Sequence, residues 1–183
     1  ANDYEKLKKS ISTLLAVSVL LGIVFTIGSL IFMKPIINIL QTPKGVYSLA
    51  IDYLKICFLG ITFQLLYNIG TAILRALGNK KAPLYFLIFS CILNLILDIL
   101  FIVYFGWGVK GAAIATLISQ ILATLLVKYK IMSLDDNCKH SLKQIKIYKG
   151  YTKDIFLVGL PAGLQAIFMS ISSLIIQSSI NSF

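Results

Sequence analysis

Apolar runs bounded by charged residues recur five times along the chain. Ser10 to Met33 carries no charge, and Val46 to Leu74 carries only Asp52 and Lys55, both near its start. Pro83 to Val109 carries only Asp98, while Gly111 to Val127 and Ile155 to Phe183 carry none. A helix crossing the hydrocarbon core needs about 20 residues, within a range of roughly 17–25. All five runs reach that length, the fourth only just. Short alternating segments, the mark of lipid-exposed strands, do not occur. The pattern therefore predicts an all-α integral membrane protein with five transmembrane helices.

Helix breakers fall between the runs. Pro35 and Pro43 are expected to flank the first connection. Gly78 follows Arg75-Ala76-Leu77, where a left-handed glycine would cap a helix, and Pro83 stands where the next helix would begin. Gly106-Trp107-Gly108 forms the third connection. Pro161 lies inside the last run, where a missing N–H is expected to kink the helix.

Composition agrees with burial in lipid. Hydrophobic residues make up 58% of the 183 residues and charged residues 13%, with a mean hydropathy of +0.89. Soluble domains carry about 25% charge. The net charge of +10 is nearly all lysine, with Arg75 the only arginine. These cations sit between apolar runs and lack the guanidinium forks suited to base and phosphate recognition, so a nucleic-acid partner is not expected.

The cations are also sided. Counted by alternate connections, thirteen fall on one side and three on the other. The positive-inside rule then places the N-terminal stretch, the Arg75 loop and the loop over residues 128–154 in the cytoplasm. Tyr104, Phe105 and Trp107 are expected at the outer interface and Tyr129 at the inner one. Ile145, Ile147 and Tyr148 lie among lysines in the long loop, as a short surface helix or a plain solvated linker. Cys57, Cys91 and Cys138 have no zinc or disulfide spacing, and His140 stands alone among lysines. With no serine elbow, phosphate loop or carboxylate dyad, no enzyme mechanism assembles.

Asp98 is the leading candidate for chemistry. A carboxylate in mid-membrane is costly unless it is paired, hydrated or protonated, so it can exchange a proton or a metal cation as its surroundings change. Asn94 lies one helical turn earlier on the same face, and Ser90 one turn before that. Asn94 reads either as an oxygen ligand for a small cation or as an interhelical hydrogen-bond former. The fourth run carries the stripe Gly108, Ala112, Thr116, Gln120 and Thr124, beside Gly111, Ala115, Ser119 and Ala123. Small residues at that spacing let helices approach closely and bring Thr116 near the third span. Gln64 and Asn68 on the second run, Gln120 on the fourth, and Pro161 and Gln165 on the fifth line either a wet cavity or helix contacts. Asp52 and Lys55, within one turn of each other, are expected to form an interfacial pair.

Four stretches carry a family resemblance. Arg75-Ala76-Leu77-Gly78-Asn79-Lys80-Lys81-Ala82-Pro83 resembles the loop between the fourth and fifth helices of MATE transporters, the multidrug and toxic compound extrusion family. Asn94-Leu95-Ile96-Leu97-Asp98 and Gly106-Trp107-Gly108-Val109-Lys110-Gly111-Ala112-Ala113-Ile114-Ala115-Thr116 follow in the family's order. Val158-Gly159-Leu160-Pro161-Ala162 is similar to the opening of its seventh helix.

The resemblance implies part of a twelve-helix, two-bundle fold, with this chain holding helices three to seven. Residues 1–130 would be four spans of the N-terminal bundle, 131–153 a cytoplasmic linker, and 154–183 the first helix of the C-terminal bundle. It implies an antiporter in the plasma membrane that exports drugs or other organic, often cationic, compounds against sodium or protons, with no other cofactor. Asn94, Asp98 and Thr116 match the family's coupling-cation site, with a backbone carbonyl near Ala112. These residues would serve as metal ligands if the ion is sodium. The implied partners are a small organic substrate, the bilayer, and helices of the same polypeptide outside this chain. The alternatives are a lipid-linked sugar flippase of the same superfamily and a non-transporting membrane subunit.

Overall fold

The computed structural model describes residues 2–39 and 44–134 without interruption and, beyond them, scattered residues between 148 and 172. Helix α1 spans Asn2–Ile39, α2 Lys44–Ala76, α3 Lys81–Asp98 and α4 Gly108–Leu134. A π-helical segment over Ile99–Tyr104 continues α3. Among the described residues, four helical stretches are long and apolar enough to cross a membrane: Lys9–Pro35, Gly45–Ala76, Lys81–Tyr104 and Gly108–Leu134. The fifth expected span, from Ile155, lies largely outside the described residues, as does most of the long lysine loop.

The turn between α2 and α3 is dictated by its residues. Gly78 takes φ +84°, a conformation costly for any residue with a Cβ. Its N–H reaches the Arg75 carbonyl at 3.0 Å, and the Asn79 N–H reaches the Leu74 carbonyl at 2.9 Å. These two bonds satisfy orphan carbonyls at the end of α2. The Asn79 side-chain oxygen then accepts the Ala82 N–H at 3.1 Å, so one residue closes α2 and caps α3.

Helix α2 lies between α1 and α4, and α3 packs on α4. At the end of the bundle near this turn, Ile11, Leu15, Ile73, Leu74, Ala82, Val127 and Ile131 form a buried cluster. Elsewhere α2 is held by hydroxyls that bond across to backbone carbonyls. The Thr26 hydroxyl donates to the Phe58 carbonyl at 3.1 Å, and the Thr124 hydroxyl lies 3.0 Å from the Phe63 carbonyl. Glycines set the spacing: Gly22 lies against Thr62, Gly60 against Gln120 and Gly70 against Val127.

Four details differ from the expectations of the sequence. Pro35 lies inside α1, which continues to Ile39, so the helix tolerates one lost hydrogen bond rather than ending there. The fourth span extends well past Val127, because Lys128 and Lys130 on long stems can end the apolar stretch without ending the helix. Gly108, placed at the head of a small-residue stripe, instead has φ +52° at the turn into α4 and is exposed. Asp52 pairs with Lys110 on α4 at 3.0 Å rather than with the exposed Lys55 one turn away.

Gly70 and Gly60 provide a contrasting pair. An added Cβ at Gly70 runs into Cγ1 of Val127, which is 2% exposed and stiff at χ1. At Gly60 it meets Gln120 Oε1 at 2.6 Å, the far end of a flexible side chain. Gly70→Ala is expected to cost about 1–3 kcal/mol through overpacking, and Gly60→Ala distinctly less. Thermal unfolding of the two variants in detergent checks the order.

Candidate functional site

The seam between α3 and α4 is a ladder of polar rungs. Ser90, Asn94 and Asp98 recur every fourth residue on α3 and so face the same neighbour. The Ser90 hydroxyl lies 3.4 Å from the Ser119 carbonyl on α4, and Asn94 Nδ2 lies 3.4 Å from Thr116 Oγ1. The helices are antiparallel, so the third rung pairs Asp98 with the level of Ala112. Alanine has no polar side chain to offer, and Asp98 Oδ1 is buried with no hydrogen-bond partner among the described residues.

The neighbouring oxygens are already oriented. Thr116 Oγ1 donates to the Ala112 carbonyl at 3.0 Å, which aims its remaining acceptor capacity away from α4. An Asn94 amide that donates through Nδ2 keeps its oxygen as an acceptor. Ser119 Oγ donates to the Thr116 carbonyl at 2.8 Å, so backbone and side chains of α4 interlock along the seam. From α2, Tyr53 lies beside the Cys57 side chain one turn on and within electrostatic range of Asp98.

Asp98 is also the last residue before the helix widens. The Phe105 N–H bonds the Leu100 carbonyl at 3.1 Å, an i to i−5 closure, and the Trp107 N–H reaches the Phe101 carbonyl at 2.9 Å. Such π-helical turns shift the register of the residues beyond them and recur at functional sites. Past the turn, the Phe101, Phe105 and Trp107 rings pack with centroids 5.1–5.9 Å apart. Gly111 lets α4 approach this knot: a Cβ there would lie 3.0 Å from Phe101 Cβ and 3.1 Å from its backbone.

This end of the seam offers one carboxylate and, within a helical turn of its level, the hydroxyl of Thr116, the amide of Asn94 and the carbonyl of Ala112. Among the described residues no three His, Cys, Asp or Glu side chains converge. This chemistry suits a proton or a hard cation such as sodium, and the unsatisfied Asp98 oxygen fits either.

The other candidate residues are placed less closely. Gln64 and Asn68 are exposed on α2, one turn apart, and Gln120 packs against Gly60. Pro161 and Gln165 lie outside the described residues.

A family model described as MatE matches residues 1–100. The chain belongs to the MATE family. A probable multidrug resistance protein of Bacillus subtilis, YpnP, is 35% identical over 167 residues, covering 89% of this chain and 36% of the relative. An inward-facing structure of a multidrug resistance MATE transporter superposes with a TM-score of 0.77 at 26% identity, over 90% of this chain and 43% of that one. An outward-facing structure gives a TM-score of 0.78 at 29% identity, over 89% of this chain and 37% of that one. This chain thus spans about two fifths of the length of these MATE relatives. The relatives are named as resistance proteins and transporters, not as enzymes.

Tyr53 and the π-helical segment, which lie near Asp98, were not legible in the sequence as neighbours of the candidate site. A tyrosine early in an apolar run has no distinguishing neighbour, and a π turn leaves no spacing signal in a run as uniform as Ile99–Tyr104.

The Asn94–Thr116 rung makes a measurable claim. Thr116→Val keeps the shape but strands the Asn94 amide, whereas removing both partners is close to neutral. A double-mutant cycle with Asn94→Leu, read by thermal unfolding of the full-length transporter, is expected to give a coupling of about 0.5–1.5 kcal/mol. Strictly additive losses would mean that the rung carries no interaction.

Proposed function

We propose that this chain forms part of a cation-coupled antiporter that exports drugs or other organic, often cationic, compounds across the plasma membrane. The observation that carries the reading is the buried Asp98 oxygen without a partner, one helical turn beyond the Asn94 amide that meets Thr116 of α4. The MATE membership supports transport, and the multidrug resistance names of relatives support the substrate class.

On this reading Asp98 is the coupling residue. A sodium ion or proton supplies, when bound, the positive partner that the third rung lacks. Asp98 then ceases to be an uncompensated charge in the hydrocarbon. Asn94 and Thr116 hold the carboxylate in register with the first turns of α4. A change in the charge of Asp98 is therefore felt as a change in how tightly α3 and α4 pack. Relatives captured facing inward and facing outward support alternating access as the larger motion. The residue ranges 1–130 and 154–183 would belong to the two opposing bundles, with 131–153 and the N-terminal stretch in the cytoplasm.

Efflux of a cationic dye from cells tests the assignment. The full-length transporter is compared with its Asp98→Asn variant under imposed sodium and proton gradients. Export is expected to fall by at least tenfold in the variant, and the gradient that drives the wild type names the ion. Gradient-driven export undiminished in Asp98→Asn would sink the reading.

A further inference from the structure

One ion pair ties α2 to the first turn of α4, two residues ahead of the Ala112 level that Asp98 shares. Lys110 Nζ and Asp52 Oδ2 are 3.0 Å apart, with side chains 54% and 31% exposed. Lys110 stands in the first turn of α4, where the helix dipole disfavours a cation. Its place there needs a compensating anion, and the structure supplies one from α2. The pair joins α2, which carries Tyr53, to α4, against which α3 packs. Asp52 immediately precedes Tyr53, and Lys110 lies two residues ahead of Ala112. The other charged or titratable groups nearby are Lys55, Tyr53 and Cys57 on α2 and Asp98 on α3.

We propose that the Asp52–Lys110 pair sets the electrostatic threshold for cation loading at Asp98, acting as a positioning and screening element at the end of the site where α3 meets α4. The proposal rests on the reading of Asp98 as the coupling residue. While the pair is closed, the Lys110 charge is neutralised two residues ahead of Ala112. With Asp52 neutral, an uncompensated ammonium stands within a few residues of the Ala112 carbonyl and repels an incoming cation. With Lys110 neutral, an additional carboxylate stands there and attracts one. A purely mechanical tie between α2 and α4 makes no such distinction, because either loss opens it equally.

The experiment measures, in the full-length transporter, the external concentration of the coupling cation that half-saturates dye export. Asp52→Asn is expected to raise it and Lys110→Gln to lower it, each by roughly tenfold or somewhat less, the effect of one unit charge at intermediate dielectric. The exchanged pair, Asp52→Lys with Lys110→Asp, is expected to lie closer to wild type than either single variant. Shifts in the same direction, or none, overturn the proposal. Should Asp52→Asn fail to accumulate in the membrane, Lys110→Gln decides alone, since a lost mechanical tie raises the value and the proposal lowers it. Asp98→Asn is measured alongside. If that variant loses export while the pair variants shift together or not at all, only this proposal falls. If it keeps gradient-driven export, the coupling reading falls and this proposal with it.

Discussion

A polar group carried into hydrocarbon has no water to turn to, so each one on a membrane helix must find its partner on a neighbouring helix or on its own backbone. The α3–α4 seam is arranged by this demand. Serine and asparagine on α3 find a carbonyl and a hydroxyl on α4, at Ser119 and Thr116. The same register carries the next polar residue, Asp98, to the level of an alanine. The helix pair thereby holds a carboxylate at a fixed place and withholds its partner. A rung occupied by serine or threonine instead of Ala112 would offer Asp98 a hydroxyl and remove the unpaired oxygen on which the proposed coupling role rests.

The rest of the bundle makes that register hold. Side-chain hydrogen bonds at 3.4 Å are long, and they orient little unless the backbones are pinned by other means. Gly111 lets α4 meet the Phe101 backbone directly, and Gly60 and Gly70 let it lie against α2. The Asn79 turn fixes where α3 begins relative to the end of α2, and so sets the height of every rung above it. The π-helical segment then leads from α3 into the turn at Gly106 and Gly108 that starts α4.

Much of this was legible in the sequence, for identifiable reasons. Long uncharged runs have few solutions other than membrane helices, and the Gly78-Asn79 signature has a direct backbone meaning. Asp98, Asn94 and Thr116 were visible because an acid in an apolar run is conspicuous and four-residue spacing implies a shared face. Tertiary choice was not legible. Asp52 had two cations to choose from, and sequence distance favoured Lys55, yet the packing of α2 on α4 brought Lys110 to it. Pro35 failed as a boundary because one missing hydrogen bond costs less than ending a helix inside an apolar stretch. The lack of a side-chain partner at the third rung depends on helix register, which single-helix periodicity does not contain.

The energetics of that unpaired rung explain why so small a feature suits a coupling role. A ligand moves a conformational equilibrium only by its differential affinity for the two states, and a near-complete switch needs about 5.5 kcal/mol. One neutral hydrogen bond contributes roughly 1 kcal/mol, far short of that. A carboxylate moved between an uncompensated and a compensated state inside the membrane involves several kcal/mol. Among the described residues of α3 and α4 only Asp98 combines an ionisable group with a buried, unpartnered oxygen. A switch built on Asn94 and Thr116 alone would be too weak, and the partly exposed Asp52–Lys110 pair can shift a loading threshold but not supply the switch itself. The burial of Asp98 is what makes its charge worth coupling to.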